Sequence, residues 1–223
     1  MRHETRYGAL LIAGSAVLLA MTAVHPSSIP FGDAAALARL VWVDGFAHTL
    51  AIVGVGLLLA RQAGLSRMLG LQRTIVVTAL VAAALPAAGI MVAAALDGFV
   101  IPQLADEWMR ADATARATLE HLIRFCVLIA STLTRIYMLL IAVAVLLWSW
   151  TIRGDRLSAG LPWLGVVVGI AGVASLFGGP AYFSVHEVLL LVLGQSVWMV
   201  WAGAMMIRVG KREAGHATEK LPE

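Results

Sequence analysis

Long apolar runs, rather than an alternation of apolar and polar positions, dominate the pattern of this chain. Six of these runs are close to the roughly 20 residues that an α-helix needs to cross a bilayer. They cover residues 8–24, 42–60, 74–96, 122–150, 161–177 and 188–207. The pattern therefore predicts an all-α polytopic membrane protein, a bundle of six transmembrane helices formed by residues 1–210. Residues 211–223 are polar without apolar periodicity, which predicts a disordered cytoplasmic tail.

Three details at the edges of these runs affect where the helices begin and end. Residues 31–40 are predicted to form a short interfacial helix, with Asp33 as its N-terminal cap. Arg61 directly follows the second run and is assigned to the loop after it. Pro86 removes one backbone hydrogen bond inside the third run, which predicts a freed carbonyl within the membrane.

The fourth run carries charges that a membrane helix does not carry without a reason. At 100° per residue, six polar side chains at its start and within it fall in one arc of roughly 120°. This polar stripe consists of Glu120, His121, Arg124, Ser131, Thr132 and Arg135. Charges inside a bilayer cost at least ~2.5–3.5 kcal/mol each, and they usually face a bundle interior or a wet cavity. The stripe therefore predicts one wall of a polar pocket.

Arg135 is the deepest charge of the stripe. It lies 11 residues beyond Arg124. At the rise of an α-helix, this separation is about 16 Å, which places Arg135 near the bilayer centre. Asp and Glu are absent from the middle of every predicted span. The guanidinium is therefore expected to reach backbone carbonyls near Pro86, the Gln195 side chain, water, or an acidic or carbonyl group of a ligand.

Composition and charge limit the class of protein. The chain is 61% hydrophobic and 13% charged, whereas soluble domains carry about 25% charged residues. Its single cysteine, Cys126, excludes an internal disulfide. Eleven Lys and Arg residues lie in segments on the side of the N-terminus and three in the opposite segments. This bias predicts a bacterial inner membrane protein with both termini cytoplasmic. The lipid bilayer is the predicted partner, together with another membrane protein or a second copy of the chain, and no nucleic acid.

Four histidines are predicted to share the outer side of the membrane. His25 ends the first run, His48 lies early in the second, and His121 and His186 open the fourth and sixth. Asp44 lies one helical turn before His48, the spacing at which a carboxylate orients an imidazole. Asp97 ends the third run at the same level. We therefore expect a pocket open to the outer, periplasmic side and walled by spans two, three, four and six.

Three interpretations of this constellation remain open. In the first, these residues only end helices and meet interfacial water. In the second, they form a zinc or copper site, in which His48 and His121 are the first ligands. The ligands that complete this site are drawn from Asp44, Asp97, His25 and His186. In the third, haem or a quinone occupies the pocket, and its acidic or carbonyl groups meet the polar stripe. The residues predicted to contact such a ligand are Arg124, Arg135, Ser131 and Asp97.

The sequence thus favours a membrane protein that binds a metal ion or another small ligand in a His/Asp/Arg pocket. The alternatives are a haem- or quinone-binding redox protein, a small transporter, and a non-catalytic subunit or sensor of a membrane complex. A transport path is disfavoured because the stripe becomes apolar beyond Arg135, at Met138, Leu139 and Ala142. No nucleophile or nucleotide-binding motif is found, so enzymatic activity stays undecided.

Overall fold

A computed structural model describes residues 3–24, 33–153, 160–178 and 185–218. It also describes the side chains in these ranges, except those of some residues beside the gaps. Within these ranges the chain forms helices and no strands. The helices are α1 (His3–Val24), α2 (Ala34–Leu69), α3 (Thr74–Ala84), α4 (Ala87–Ala95), a π-helix (Leu96–Val100), α5 (Ile101–Arg110), α6 (Ala113–Arg153), α7 (Gly160–Gly178) and α8 (Val185–Thr218).

The lengths of the apolar segments identify a helical membrane protein. In the described part of the chain, five segments are long and apolar enough to cross a bilayer: His3–Ala23, Ala35–Leu69, Thr74–Arg110, Ala113–Arg153 and Leu189–Arg212. The apolar segment Gly160–Ser175 of α7 is shorter. It falls below the roughly 20 residues of a full span, so the sixth crossing stays a prediction. Large apolar side chains such as Trp42 and Val53 face outward, 74% and 68% exposed, as a lipid-facing surface requires.

The second span is longer than its apolar run predicts. Asp33 caps α2 as expected, because its carboxylate accepts a hydrogen bond of 2.9 Å from the Ala36 amide. The predicted interfacial helix and the second span are one helix, however, since nothing between them breaks the backbone ladder. α2 ends only at Gly70, where a φ of 96° favours glycine. Arg61 therefore lies inside a helix, and the prediction that it belongs to a loop is wrong.

The third span is interrupted twice. Pro86 separates α3 from α4, because a proline cannot donate its backbone hydrogen bond and its ring crowds the preceding turn. The π-helix then follows α4 directly and contains Asp97 and Gly98. Its wider turn adds a residue to the helical ladder and so rotates the side chains that follow. The span therefore continues without a loop, but its side chains point in a different direction after the π-helix, where the span meets α2.

Close contacts hold the helices in place. α1 packs chiefly on α8, and α6 packs on α3 and α7. A Cβ atom at Gly8 would lie 2.5 Å from the Gly203 carbonyl oxygen, so α1 and α8 approach more closely than larger residues allow. In the core, the fully buried Trp148 and Trp198 rings stack with their centroids 6.3 Å apart. The Trp148 indole donates to Ser66 Oγ over 3.1 Å, which ties α6 to α2.

Candidate functional site

The best-defined polar contact on the expected site centres on His48 of α2. His48 is 8% exposed and Asp44, one turn earlier, is 5% exposed. The His48 Nδ1 atom lies 2.9 Å from the Asp44 backbone oxygen and 3.1 Å from its carboxylate oxygen Oδ1. Both of these atoms are acceptors, so Nδ1 carries a hydrogen and the ring orientation is fixed. Nε2 is therefore the ring nitrogen on the side away from Asp44.

Asp97 approaches the other side of the same ring. Its carboxylate oxygen Oδ2 lies 3.6 Å from His48 Nε2. The side chain of Asp97 is 39% exposed, whereas that of Asp44 is 7% exposed. The Asp44 carboxylate therefore lies beside the ring in the interior, and the Asp97 carboxylate faces the ring from an accessible position. We call these three residues the His48 cluster.

Gly98 makes this approach of the π-helix to α2 sterically possible. A Cβ atom at Gly98 would overlap the Cβ atom of His48 and lie 2.8 Å from Nδ1. Any side chain at this position would push the two helices apart. The π-helix thus contributes both a carboxylate and the space that the imidazole needs.

The charges of the His48 cluster favour a positively charged ligand. Two carboxylates face one imidazole, so the cluster has a net negative charge whether the ring is neutral or protonated. The carboxylates lie at opposite ring nitrogens, so of these two it is Asp97 that is placed to share an ion with Nε2. Among the described residues, no group of three or more His, Cys, Asp and Glu side chains is arranged to hold a metal ion. His25 and the side chain of His186, two of the predicted ligands, lie outside the described residues.

The polar stripe of α6 lies mostly at the surface. His121 and Arg124 are exposed, and Ser131 and Arg135 are half-buried. The packed face of α6 is formed on the other side by residues such as Ile123, Ala130 and Tyr137. His121 and Arg124 therefore lie at the surface of the bundle and not in its packed interior, and their place in a ligand pocket stays a prediction. The apolar packing of α6 against α3 and α7 determines its rotation, and the charges take the remaining face.

The structure also contains a buried polar cluster that the sequence did not suggest. Arg61 is 3% exposed and donates from Nη1 to Ser15 Oγ over 2.8 Å. The residues around it come from α1, α2, α6 and α8: Ser15, Arg61, Gln62, Tyr137, Gln195 and Ser196. We call this group the Arg61 cluster. The signal that could have revealed it is the polar pair Gln195–Ser196 inside an apolar run, which needs a polar partner when buried.

Comparison of the chain with family models, with curated proteins and with solved structures finds no match. The helices define the class, a helical protein with segments suited to a lipid bilayer. The two polar clusters are therefore interpreted from their own geometry.

Proposed function

We propose that this membrane protein binds a cation at the His48 cluster. The observation that carries the proposal is the position of His48 Nε2. Asp44 holds the opposite nitrogen, and Nε2 faces the Asp97 carboxylate across 3.6 Å. This contact is an ion pair when the imidazole is protonated. A neutral imidazole nitrogen and a carboxylate oxygen at this separation can instead bind one metal ion between them.

Ionisable residues within membrane spans are costly to bury, and they commonly mark a site for an ion or a proton. Asp44 and His48 lie within the apolar segment Ala35–Leu69, and Asp97 lies within Thr74–Arg110. The negative charge of the cluster compensates a bound cation. Its one accessible carboxylate gives that cation a route to the cluster.

Two kinds of cation fit the chemistry of the cluster, a metal ion and a proton. Zinc or copper would take His48 Nε2 and Asp97 as ligands, with Asp44 as the orienting carboxylate. Ligands about 2.1 Å from a tetrahedral metal lie about 3.4 Å apart, close to the observed separation. A metal site needs further ligands, however, whereas a proton bound to Nε2 is stabilised by the ion pair with the Asp97 carboxylate at 3.6 Å. Both cations use the same three residues, so one set of variants tests both.

The test is a titration of detergent-purified protein with zinc and, separately, with copper, followed by calorimetry. His48→Ala is expected to abolish binding and Asp97→Asn to weaken it. His121→Ala is the matched control, because His121 is exposed on α6. For the proton, the ¹⁵N resonances of the His48 ring are followed through a pH titration, and Asp97→Asn is expected to change the midpoint.

The results of these experiments distinguish a metal site from a proton site. Zinc or copper binding that depends on His48 identifies a metal site. Absence of metal binding, together with a His48 titration that responds to Asp97, identifies a proton site. A protein that binds neither metal, and whose His48 titration is the same in Asp97→Asn, would contradict the proposal.

A further inference from the structure

The Arg61 cluster contains a buried positive charge that has no carboxylate partner among the described residues. The guanidinium of Arg61 stays protonated in proteins, so it is charged here. None of the described carboxylates forms an ion pair with it. Its Nη1 donates a hydrogen bond to the neutral hydroxyl of Ser15, which itself donates to the Leu11 carbonyl oxygen over 2.7 Å. An isolated buried charge is far more costly than a buried neutral group.

Unused hydrogen-bonding atoms surround a cavity beside this charge. Arg61 Nε, Ser196 Oγ and Gln62 Oε1 are buried without a hydrogen-bond partner. Gln62 and Ser196 are 2% and 5% exposed, and both line the cavity together with Arg61. Arg61 Nε and the Ser196 hydroxyl are donors. A 180° turn of the Gln62 amide would place a third donor where its oxygen now lies.

The cavity accepts only a small particle. A volume of about 10 Å³ is open to the centre of a water molecule, so the cavity holds one water molecule or one monatomic ion. Organic ligands such as quinones need a far larger pocket. A water molecule fits and satisfies polar atoms, but it leaves the charge of Arg61 uncompensated.

We propose that the Arg61 cluster binds one small monovalent anion of the halide class, such as chloride. The anion would accept from Arg61 Nε and the Ser196 hydroxyl and neutralise the guanidinium. It would thereby link α2 to α8, two helices that otherwise have few contacts among the described residues. The proposal does not depend on the His48 cluster, which lies elsewhere on α2.

The test is equilibrium dialysis of the full-length, detergent-purified protein with isotopically labelled chloride, with gluconate as the replacement anion. The wild-type protein is expected to bind chloride with a stoichiometry of about one per chain. Arg61→Met is expected to lose this binding. Arg67→Met is the matched control, because Arg67 is an exposed arginine on the same helix. His48→Ala is expected to bind chloride normally, which separates this site from the one proposed above.

A second variant keeps the test decisive if Arg61→Met fails to fold. Ser196→Ala removes one donor and keeps a residue that favours helix. It is expected to weaken chloride binding about tenfold, the effect of one hydrogen bond to a charged group. A folded wild-type protein that binds no chloride would show that water alone fills the cavity and would overturn the proposal. Unchanged chloride affinity in Ser196→Ala would overturn it as well.

Discussion

The helix α2 contributes to two buried polar clusters, one with an excess of negative charge and the other with an excess of positive charge. His48 and Arg61 lie 13 residues apart on this helix, about 20 Å along its axis. The His48 cluster has more negative charge than its imidazole can balance. The Arg61 cluster has a positive charge, and the described residues around it are neutral. The comparison shows that burial alone does not define a site, because the sign of the missing charge decides which ligand fits.

The two clusters also differ in how they are built. Two spans form the His48 cluster, and a glycine lets them touch. Four helices surround Arg61, and a small cavity separates them. Ligand binding at the His48 cluster should therefore be sensitive to steric change, and binding at the Arg61 cluster to a change of charge.

The largest effect is expected from Gly98→Ala. The added Cβ atom would overlap His48, so the π-helix must move away from α2. Overpacking of this kind costs about 1–3 kcal/mol of stability, and cation binding at His48 is expected to be lost. Thermal unfolding in detergent and calorimetry measure the two effects. Gly54→Ala is the matched control, because no heavy atom lies within 4 Å of a Cβ atom at Gly54. Equal stability of the two variants would show that the close approach of the helices is not needed.

Ser15→Asp is expected to give the Arg61 cluster the counter-charge that it lacks. Ser15 Oγ lies 2.8 Å from Arg61 Nη1, so a carboxylate at this position would pair with the guanidinium. Chloride binding is expected to fall by more than about tenfold, since a buried ion pair replaces the anion. Dialysis with labelled chloride measures this loss. Ser15→Asn, which has the same shape without the charge, is expected to retain binding. If Ser15→Asp binds chloride as the wild type does, Arg61 is not the anion partner.

Asp44→Asn is expected to have a moderate effect on the His48 cluster. The backbone oxygen of Asp44 would still accept from Nδ1, but the carboxylate that orients the ring would be lost. Loss of such an orienting group typically lowers metal affinity 10–100-fold, so zinc affinity should fall by about this factor if zinc is the cation. The same titration that tests His48→Ala measures it. An affinity equal to that of the wild type would show that the backbone oxygen alone fixes the ring.

The smallest effect is expected from Arg124→Ala on α6. Arg124 is exposed on the polar stripe, and surface substitutions usually change stability by less than about 0.5 kcal/mol. Neither cation nor chloride binding should change. Thermal unfolding and both binding assays measure this result. If Arg124→Ala lost either ligand, the polar stripe would be part of one of the two binding sites, and the two clusters would not account for binding by themselves.

The sequence was informative where local spacing determines the contact. The apolar runs predicted a helical membrane protein, and the polar residue before the alanine-rich segment predicted the Asp33 cap, which the structure confirms. The spacing of Asp44 and His48 placed them one turn apart on one face, as the backbone of α2 requires.

The rest depends on contacts that no local pattern encodes. Arg61 follows the end of an apolar run, but the stop signal of its helix comes only at Gly70, so its burial was not expected. The stripe on α6 has a clear helical period, but periodicity does not say whether a polar face points inward or outward. The sequence did place Asp97 at the level of His48, but the contact itself is made from a π-helix, a change of register that the sequence does not mark.

The contact between Gly8 and Gly203 has a consequence for the order in which the protein is assembled. α1 is synthesised before every other described helix, and α8, its chief neighbour, is synthesised after them. During translation, α1 therefore enters the membrane without the surface on which it finally rests. The glycine contact closes the bundle last, when the newest helix docks against the oldest. A chain interrupted before α8 would leave α1 with its glycine face uncovered in the lipid.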